Sequence, residues 1–203
     1  MTTAIALADA SPHDVPTMRS LASALGVQPM SIYHHVASKD ELVDAMVDHV
    51  FAEIALPGAD TWSDALRRRY RSAREVLRRH PWAVALMESR ATPGEHTLRQ
   101  HDAVLGVLMD AGFSLPATAQ AYSLLDAYLY GFVLQEIALP FESPADIPDA
   151  AQEMLAAFPV DAYPNLAAFM VGHVMQPGYD YGDEFDRGLD VLLGAIAGGP
   201  QQH

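Results

Sequence analysis

Residues 17–42, TMRSLASALGVQPMSIYHHVASKDEL, carry the local signals of three helices separated by tight turns. Thr17 can cap the first helix, and Gly26 can end it because glycine adopts the left-handed conformation without strain. Pro29 suits the first turn of the second helix, since the amide hydrogen that proline lacks would be unpaired there. Ser38 begins a Ser-x-x-Glu capping box that opens the third helix. The stretch therefore predicts a helix, a glycine turn and a short polar-faced helix.

This order of elements is that of a helix-turn-helix, in which the second helix enters the major groove of DNA. Its outward hydroxyl and imidazole groups suit phosphate oxygens. Arg19 could pair with guanine, while Pro29 and Met30 could contact a thymine methyl group. A helical hairpin packed inside a larger domain would show the same spacing, so the spacing alone leaves both interpretations open.

Beyond the spacing, the residues themselves resemble the DNA-binding domain of TetR-family transcriptional regulators, and most of all the tetracycline-repressor branch. The resemblance lies in Thr17-Met18-Arg19-x-Leu21-Ala22-x-x-Leu25-Gly26-Val27 and in Ser31-Ile32-Tyr33-His34-His35-Val36-x-Ser38-Lys39-x-x-Leu42. It continues more weakly to Phe185-x-x-Gly188-Leu189 near the end of the chain. It implies a helix-turn-helix domain over residues 1–52 and a helical ligand-binding and dimerisation domain over residues 53–203.

Carried over position by position, the resemblance implies two groups of DNA-binding residues. Those nearest the bases would be Arg19, Gln28, Pro29 and Met30. Those that hold phosphates would be Thr17, Tyr33, His35 and Lys39. Ser31 and His34 face outward beside them, and His34 could contact either a base or a phosphate. A second interpretation of His35 is a ring packed over the turn.

The charge of the chain makes DNA binding a question of local residues. The formal net charge is −14, which argues against nonspecific binding to polyanions. Within residues 1–52 the only lysine or arginine side chains are Arg19 and Lys39, against six acidic ones. The first helix is short and has no cation, so an alternative is a protein that keeps the fold but binds a ligand or partner with little or no DNA affinity.

The rest of the chain is predicted to be all-α, because its apolar residues recur at helical spacing between proline and glycine breaks. One stripe is Leu66, Tyr70, Ala73 and Leu77, on a helix that also carries seven arginines. We expect those arginines to be solvated and weakly paired with Glu75, with a possible helper role in phosphate binding. Residues 116–139 are apolar on nearly every face, which predicts cover from a second subunit; the resemblance likewise implies a homodimer.

A small-molecule effector is expected to bind among polar groups inside these apolar helices. Polar candidates are His101, Asp126, Gln135 and His173. Candidate walls are Trp82, Met87, Tyr122, Tyr128, Phe132, Phe169 and Met170. Each of them could equally be a core residue. Glu88, Ala91 and Val104 fall where the tetracycline repressor has its magnesium–tetracycline ligands, so tetracycline itself is not expected.

Other function classes find little support in the sequence. The chain has no cysteine, which excludes disulfides and thiolate chemistry. No nucleophile elbow or glycine-rich phosphate loop is present, and Glu95, His96 and His101 do not share a helical face. We therefore expect no enzyme activity, no cofactor and no metal. With no apolar stretch long enough to span a membrane, a cytoplasmic protein that does not contact membranes is expected.

Overall fold

The computed structural model describes residues 1–11, 14–58, 61–139, 150–153, 156 and 159–198, and over these residues it contains helices and no strand. The all-α prediction is thus confirmed. The helices are α1 (Thr2–Asp9), α2 (Met18–Leu25), α3 (Pro29–Tyr33), α4 (Lys39–Glu53), α5 (Trp62–Arg79), α6 (Glu95–Asp110), α7 (Leu115–Ile137), α8 (Pro164–Phe169) and α9 (Tyr181–Gly198). Shorter turns of 3₁₀ helix span Pro81–Ala83 and Val160–Ala162, and Met170–Val174 form a π-helical turn.

The caps and turns predicted for the N-terminal helices form, except that Glu41 bonds the Ala37 amide where a capping box would use the amide of Ser38. The Thr17 hydroxyl accepts a hydrogen bond from the Ser20 amide at 3.1 Å, and Ser20 Oγ accepts one from the Thr17 amide at 2.9 Å. Gly26 ends α2 in the left-handed conformation with φ of +66°. Ser38 Oγ accepts from the Glu41 amide at 3.1 Å, and Glu41 Oε2 accepts from the Ala37 amide at 2.6 Å. Local hydrogen bonds therefore fix the start of α2 and of α4.

The second helix of the predicted helix-turn-helix is α3, and it is shorter than the motif suggests. It ends at Tyr33, and His34 and His35 lie in the turn that follows. The amides of His35 and Val36 both donate to the Ile32 carbonyl, at 2.8 and 3.0 Å, which tightens the last turn before the chain extends toward α4. Because Ile32 is buried, it anchors this short helix to the core.

The core of the second half is built on α5, as the apolar stripe predicts. Leu66, Tyr70, Ala73 and Leu77 are fully buried there, and α7 and α9 both contact this helix.

The arginines of α5 do not behave as expected, because their partners come from distant helices rather than from Glu75. Arg67 donates to Asp190, and Arg71 donates to Asp186, each at 2.7 Å. Arg74 Nε donates to Glu136 at 2.9 Å. The predicted pairing with Glu75 was therefore wrong for these residues, because the tertiary fold brings the acidic side chains of α7 and α9 over α5. Arg71 is nevertheless exposed, as predicted, whereas Arg67 and Arg74 are half-buried.

Asp48 of α4 joins the two halves of the chain at the start of α6. Its Oδ1 accepts from the Thr97 amide at 2.8 Å and from the Thr97 hydroxyl at 2.9 Å. The residue before α6 is Gly94, which has no side chain to cap the helix, so Asp48 supplies the cap from another helix. A Cβ built on Gly94 would lie 2.2 Å from Asp48 Cγ. The close contact of α4 with α6 therefore requires glycine at this position.

Replacing Gly94 with alanine is expected to break the Asp48 cap, because the added methyl group occupies the space of the carboxylate. The expected loss of unfolding free energy is about 1–2 kcal/mol, the usual value of a helix cap. Gly106→Ala on the same helix is the matched control, because a Cβ there has no neighbouring atom within 4 Å. That variant should be neutral or gain about 0.5–1 kcal/mol. Urea unfolding followed by circular dichroism measures both, and equal effects would contradict the capping role of Asp48.

Candidate nucleic-acid interface and sensor site

The residues assigned to DNA binding lie on α2, α3, the turn after α3 and the start of α4, and nearly all are exposed. Met30 is 70% exposed and Tyr33 is 45% exposed, although both are large apolar or aromatic side chains. Pro29 is half-buried. The other exposed members of the set are Thr17, Arg19, Gln28, Ser31, His34, His35 and Lys39. A polar surface with an exposed methionine and tyrosine suits contact with base edges and phosphates.

Two members of this set also have roles within the fold. The Thr17 hydroxyl is bonded to Ser20 in the cap of α2, so it has an intramolecular partner before any phosphate is present. Lys39 is the first residue of α4 and borders a groove of about 700 Å³, whose opposite wall includes Trp82 and Leu134. Lys39 therefore lies where the N-terminal helices meet the rest of the chain.

Three of the predicted effector contacts, His101, Tyr122 and Asp126, lie together between α6 and α7. The Tyr122 hydroxyl and His101 Nδ1 are hydrogen-bonded. Asp126 Oδ1 accepts from the Tyr70 hydroxyl at 2.8 Å and lies 3.7 Å from Arg69 Nη1. These groups form a polar cluster inside an otherwise apolar core.

Sequence reasoning missed the other members of this cluster. Tyr130 donates a 2.8 Å hydrogen bond to Glu88 Oε1, and Glu88 lies close to His101 and Asp126. The spacing of Tyr122, Asp126 and Tyr130 at every fourth residue of one helix could have indicated a shared face. Nothing local marks Arg69, and Glu88 is marked only by the family resemblance, as a residue at a ligand position of the tetracycline repressor. The proximity of both to Asp126 depends on how α5 and the segment after it pack on α7.

Burial dominates the electrostatics of the cluster. It raises the pKa of Asp126, and the nearby Glu88 raises it further, while Arg69 and the hydroxyls of Tyr70 and Tyr122 lower it. Burial also holds the pKa values of Tyr70, Tyr122 and Tyr130 well above the usual range, so all three remain neutral donors.

Arg69 is the buried cation of this site. Its side chain is 2% exposed, and its Nε and Nη1 have no hydrogen-bond partner among the described residues. Its guanidinium carbon lies 4.6 Å from the centre of the Tyr70 ring. A buried donor without an acceptor costs about 1–3 kcal/mol, so a bound group that supplied an acceptor to Arg69 would be favoured.

A cavity of about 180 Å³ opens beside the cluster, between α4, the segment before α6, and α6. Met87, Glu88 and His101 line it, together with Asp44 and Arg90. The predicted effector contacts Met87 and His101 therefore share a cavity that reaches from the buried cluster to α4.

The remaining predicted effector contacts are distributed over three other places. Tyr128 and Phe132 pack on Phe185 of α9, and the Tyr128 hydroxyl donates to the Phe185 carbonyl at 3.0 Å. Burial raises the pKa of Tyr128 to about 12. Gln135 is exposed and accepts from the Tyr181 hydroxyl at 3.0 Å. These three side chains connect α7 to α9.

Trp82, Phe169, Met170 and His173 lie outside the polar cluster. Trp82 donates to Asp9 of α1 at 2.8 Å. Phe169 and His173 are exposed and contact each other through tilted rings whose centres are 5.5 Å apart, while Met170 is buried. The predicted contacts thus do not form one pocket in this structure.

An apolar groove of about 280 Å³ runs between α7 and α9. It is lined by Phe113, Ala117, Gln120, Ala121, Leu124, Leu192, Ala195 and Ile196. Val191 of α9 is 71% exposed. The sequence predicts that residues 116–139 have an apolar face that needs cover from a second subunit. The groove and the exposed Val191 beside it are consistent with that prediction. Gly188 packs against Tyr128 of the same chain, where an added Cβ would lie 2.1 Å from the tyrosine oxygen.

Relatives with assigned functions are similar to most of this chain. A transcriptional regulator of the helix-turn-helix type from Saccharopolyspora erythraea is 33% identical over 183 residues, which cover 89% of this chain and 75% of the relative. The transcriptional repressor DrrR1 from Streptomyces coeruleorubidus is 32% identical over 131 residues, covering 63% of this chain and 48% of the relative. Among solved structures, the TetR family protein ActR from Streptomyces coelicolor, in complex with actinorhodin, has a TM-score of 0.79 at 23% identity, covering 99% of this chain and 96% of that one.

Two family models also match the chain. Residues 2–46 match the model of bacterial regulatory proteins of the tetR family, and residues 55–198 match the tetracyclin repressor-like C-terminal domain. Together with a helix-turn-helix whose polar side chains are exposed, these matches assign the chain to the TetR family of transcriptional regulators.

Proposed function

We propose that this chain is a cytoplasmic repressor that binds a palindromic operator as a homodimer and leaves it when a small-molecule effector binds. The observation that carries the proposal is the link from an exposed recognition surface to the sensor helices through Asp48 and Thr97. The proposed domain division is residues 1–52 for DNA and residues 53–203 for the effector and the dimer.

The proposed DNA contacts keep the roles implied by the family resemblance. Arg19, Gln28, Pro29 and Met30 face the bases, and Thr17, Tyr33, His35 and Lys39 hold phosphates. Ser31 and His34 lie beside them, and His34 could contact either a base or a phosphate. Support comes from their exposure, together with a buried Ile32 that holds the short helix in place. A five-residue helix offers few contacts, so two copies about one DNA turn apart are needed for useful affinity.

The effector signal would pass from α6 to α4. Thr97 of α6 bonds Asp48, and Arg90, in the segment before α6, is hydrogen-bonded to Asp44 and to the Asp40 carbonyl. Any movement of α6 or of this segment therefore pulls on α4, whose first turn follows the recognition helix. An effector releases DNA only if it binds more tightly to the arrangement that does not fit the operator.

Two observations support a small-molecule effector and its location. ActR, which shares this fold, is known in complex with actinorhodin, and DrrR1 is named a repressor. In this chain the cavity beside Met87 and His101 adjoins a polar cluster in which Arg69 Nε and Nη1 have no hydrogen-bond acceptor among the described residues. We propose that the effector enters there and contacts His101, Tyr122 and Asp126.

Removing a single proposed phosphate contact should weaken operator binding. Tyr33→Phe deletes one hydroxyl in each copy, worth about 1 kcal/mol each, so the Kd of the dimer should rise about 30-fold. Lys39→Ala should also reduce the salt dependence of binding, because fewer counterions are released. With two cations in each copy, the wild-type slope of log K against log salt should be only about −4 for the dimer. Operator fragments obtained by selection from random DNA, followed by fluorescence anisotropy at several salt concentrations, measure these quantities.

Arg99→Ala is the matched control for Lys39, since it removes the same charge from an exposed position on α6. It should leave both affinity and salt slope close to wild type. If no DNA sequence is enriched, the repressor proposal fails and a ligand- or partner-binding protein with the same fold is favoured. If Arg99→Ala weakens binding as much as Lys39→Ala does, the proposed interface is wrong.

Introducing a charge on the exposed face of α9 should dissociate the proposed dimer. Val191→Glu would place two unpaired carboxylates in an apolar interface, where each costs several kcal/mol. The dimer dissociation constant should rise about a hundredfold or more, and operator affinity should fall with it. Analytical ultracentrifugation measures the first effect and anisotropy the second.

Leu98→Glu on α6 serves as the control, because Leu98 is also exposed but lies on neither α7 nor α9. It should remain dimeric with an unchanged helical spectrum. A wild-type protein that sediments as a monomer at micromolar concentration would refute the proposed dimer, as would a Val191→Glu variant that stays dimeric.

A further inference from the structure

We propose that Glu88, His101 and Asp126 form a binding site for one divalent transition-metal ion of the zinc or manganese class. The three side chains come from the segment before α6, from α6 and from α7. One ligand atom from each lies within 4.8 Å of the others. His101 and Asp126 are also proposed contacts of the effector, so this inference deepens the proposed function and concerns the same site.

The arrangement is close to that of a metal site. Nitrogen and oxygen ligands about 2.0–2.2 Å from a zinc ion lie roughly 3.4 Å from one another. Side-chain rotations that move each ligand atom by about 1 Å would bring the three groups to this separation. One imidazole with two carboxylates is a ligand set of zinc, manganese and iron, whereas magnesium prefers oxygen ligands alone.

Each of the three side chains is already oriented by a tyrosine. Tyr130 donates to Glu88 Oε1 and Tyr70 donates to Asp126 Oδ1, both at 2.8 Å. The hydroxyl of Tyr122 is hydrogen-bonded to His101 Nδ1. Hydrogen bonds from outside the ligand set fix ligand orientation in metal sites, so this arrangement is the kind that holds an ion.

The charges around the site favour a cation. Glu88 and Asp126 carry two negative charges when ionised, and Arg69 at 3.7 Å from Asp126 supplies one positive charge. Arg90 lies on the far side of the adjoining cavity and is paired with Asp44. A net negative charge therefore remains beside a largely buried carboxylate, and a dication would offset it.

An ion can reach these residues from solvent. Glu88 is exposed, and Glu88 and His101 both line the cavity of about 180 Å³. A bound ion would tie α6 to α7 and to the segment before α6. Since Thr97 of α6 bonds Asp48, the metal site would hold the helix that contacts α4.

Titration of the chelator-treated full chain with Co²⁺, followed by visible absorption, tests the proposal. We expect one ion per chain, displaced by Zn²⁺, and an unfolding temperature that rises with ion concentration. Glu88→Gln and His101→Ala should each weaken binding about a hundredfold or more. Tyr130→Phe removes only the group that orients Glu88, so it should weaken binding about 10–100-fold and shift the Co²⁺ spectrum.

His96→Ala is the matched control, because His96 is an exposed histidine on the same helix. It should bind Co²⁺ as the wild type does. Glu88→Gln changes an exposed residue outside the helices, so its effect can be read even if His101→Ala fails to fold. Absence of stoichiometric binding overturns the proposal. An equal loss of Co²⁺ affinity in His96→Ala and His101→Ala would also overturn it, as would an unchanged Co²⁺ affinity in Glu88→Gln. Operator binding by the metal-free protein is a separate measurement, and its failure would count against the repressor proposal instead.

Discussion

The carboxylate of Asp48 at the start of α6 is the contact through which the two halves of this protein act on each other. It satisfies an amide that every helix leaves unpaired at its N-terminus, and it does so from a different helix. Gly94 makes the approach possible because it has no side chain. Separating α6 from α4 would cost this cap, worth about 1–2 kcal/mol, so the position of α6 is coupled to α4 and to the short helix before it.

Three arginines of α5 form ion pairs with acidic side chains of the sensor helices. Arg67, Arg71 and Arg74 pair with acidic residues of α7 and α9, far away in sequence. Asp186, Asp190 and Glu136, three of the 26 acidic side chains, therefore hold the sensor helices together. These pairs are partly exposed and individually weak, but together they select one arrangement of the three helices.

The polar cluster shows where sequence reasoning stops. His101, Tyr122 and Asp126 could be identified as polar groups within apolar helices. Their partner Arg69 could not, because no local pattern separates it from a surface residue. Glu88 stands out only through the family resemblance, which does not place it beside His101 and Asp126. The pairing depends on helix packing, and the same limit explains why Trp82, Phe169 and His173 were grouped with a pocket from which the structure separates them.

The sequence alone determined the helix-turn-helix, since its caps and glycine turn are made by hydrogen bonds between residues only three to five positions apart. It also determined the all-α class and the buried stripe of α5, which depend on periodicity. The length of α3, the partners of the arginines, the Asp48 cap and the Glu88, His101 and Asp126 cluster were decided by the tertiary structure. The end of α3 is a local choice between helix and turn that packing decides. The other features are contacts between residues far apart in sequence, so their interaction energies cannot be read from any short stretch of the chain.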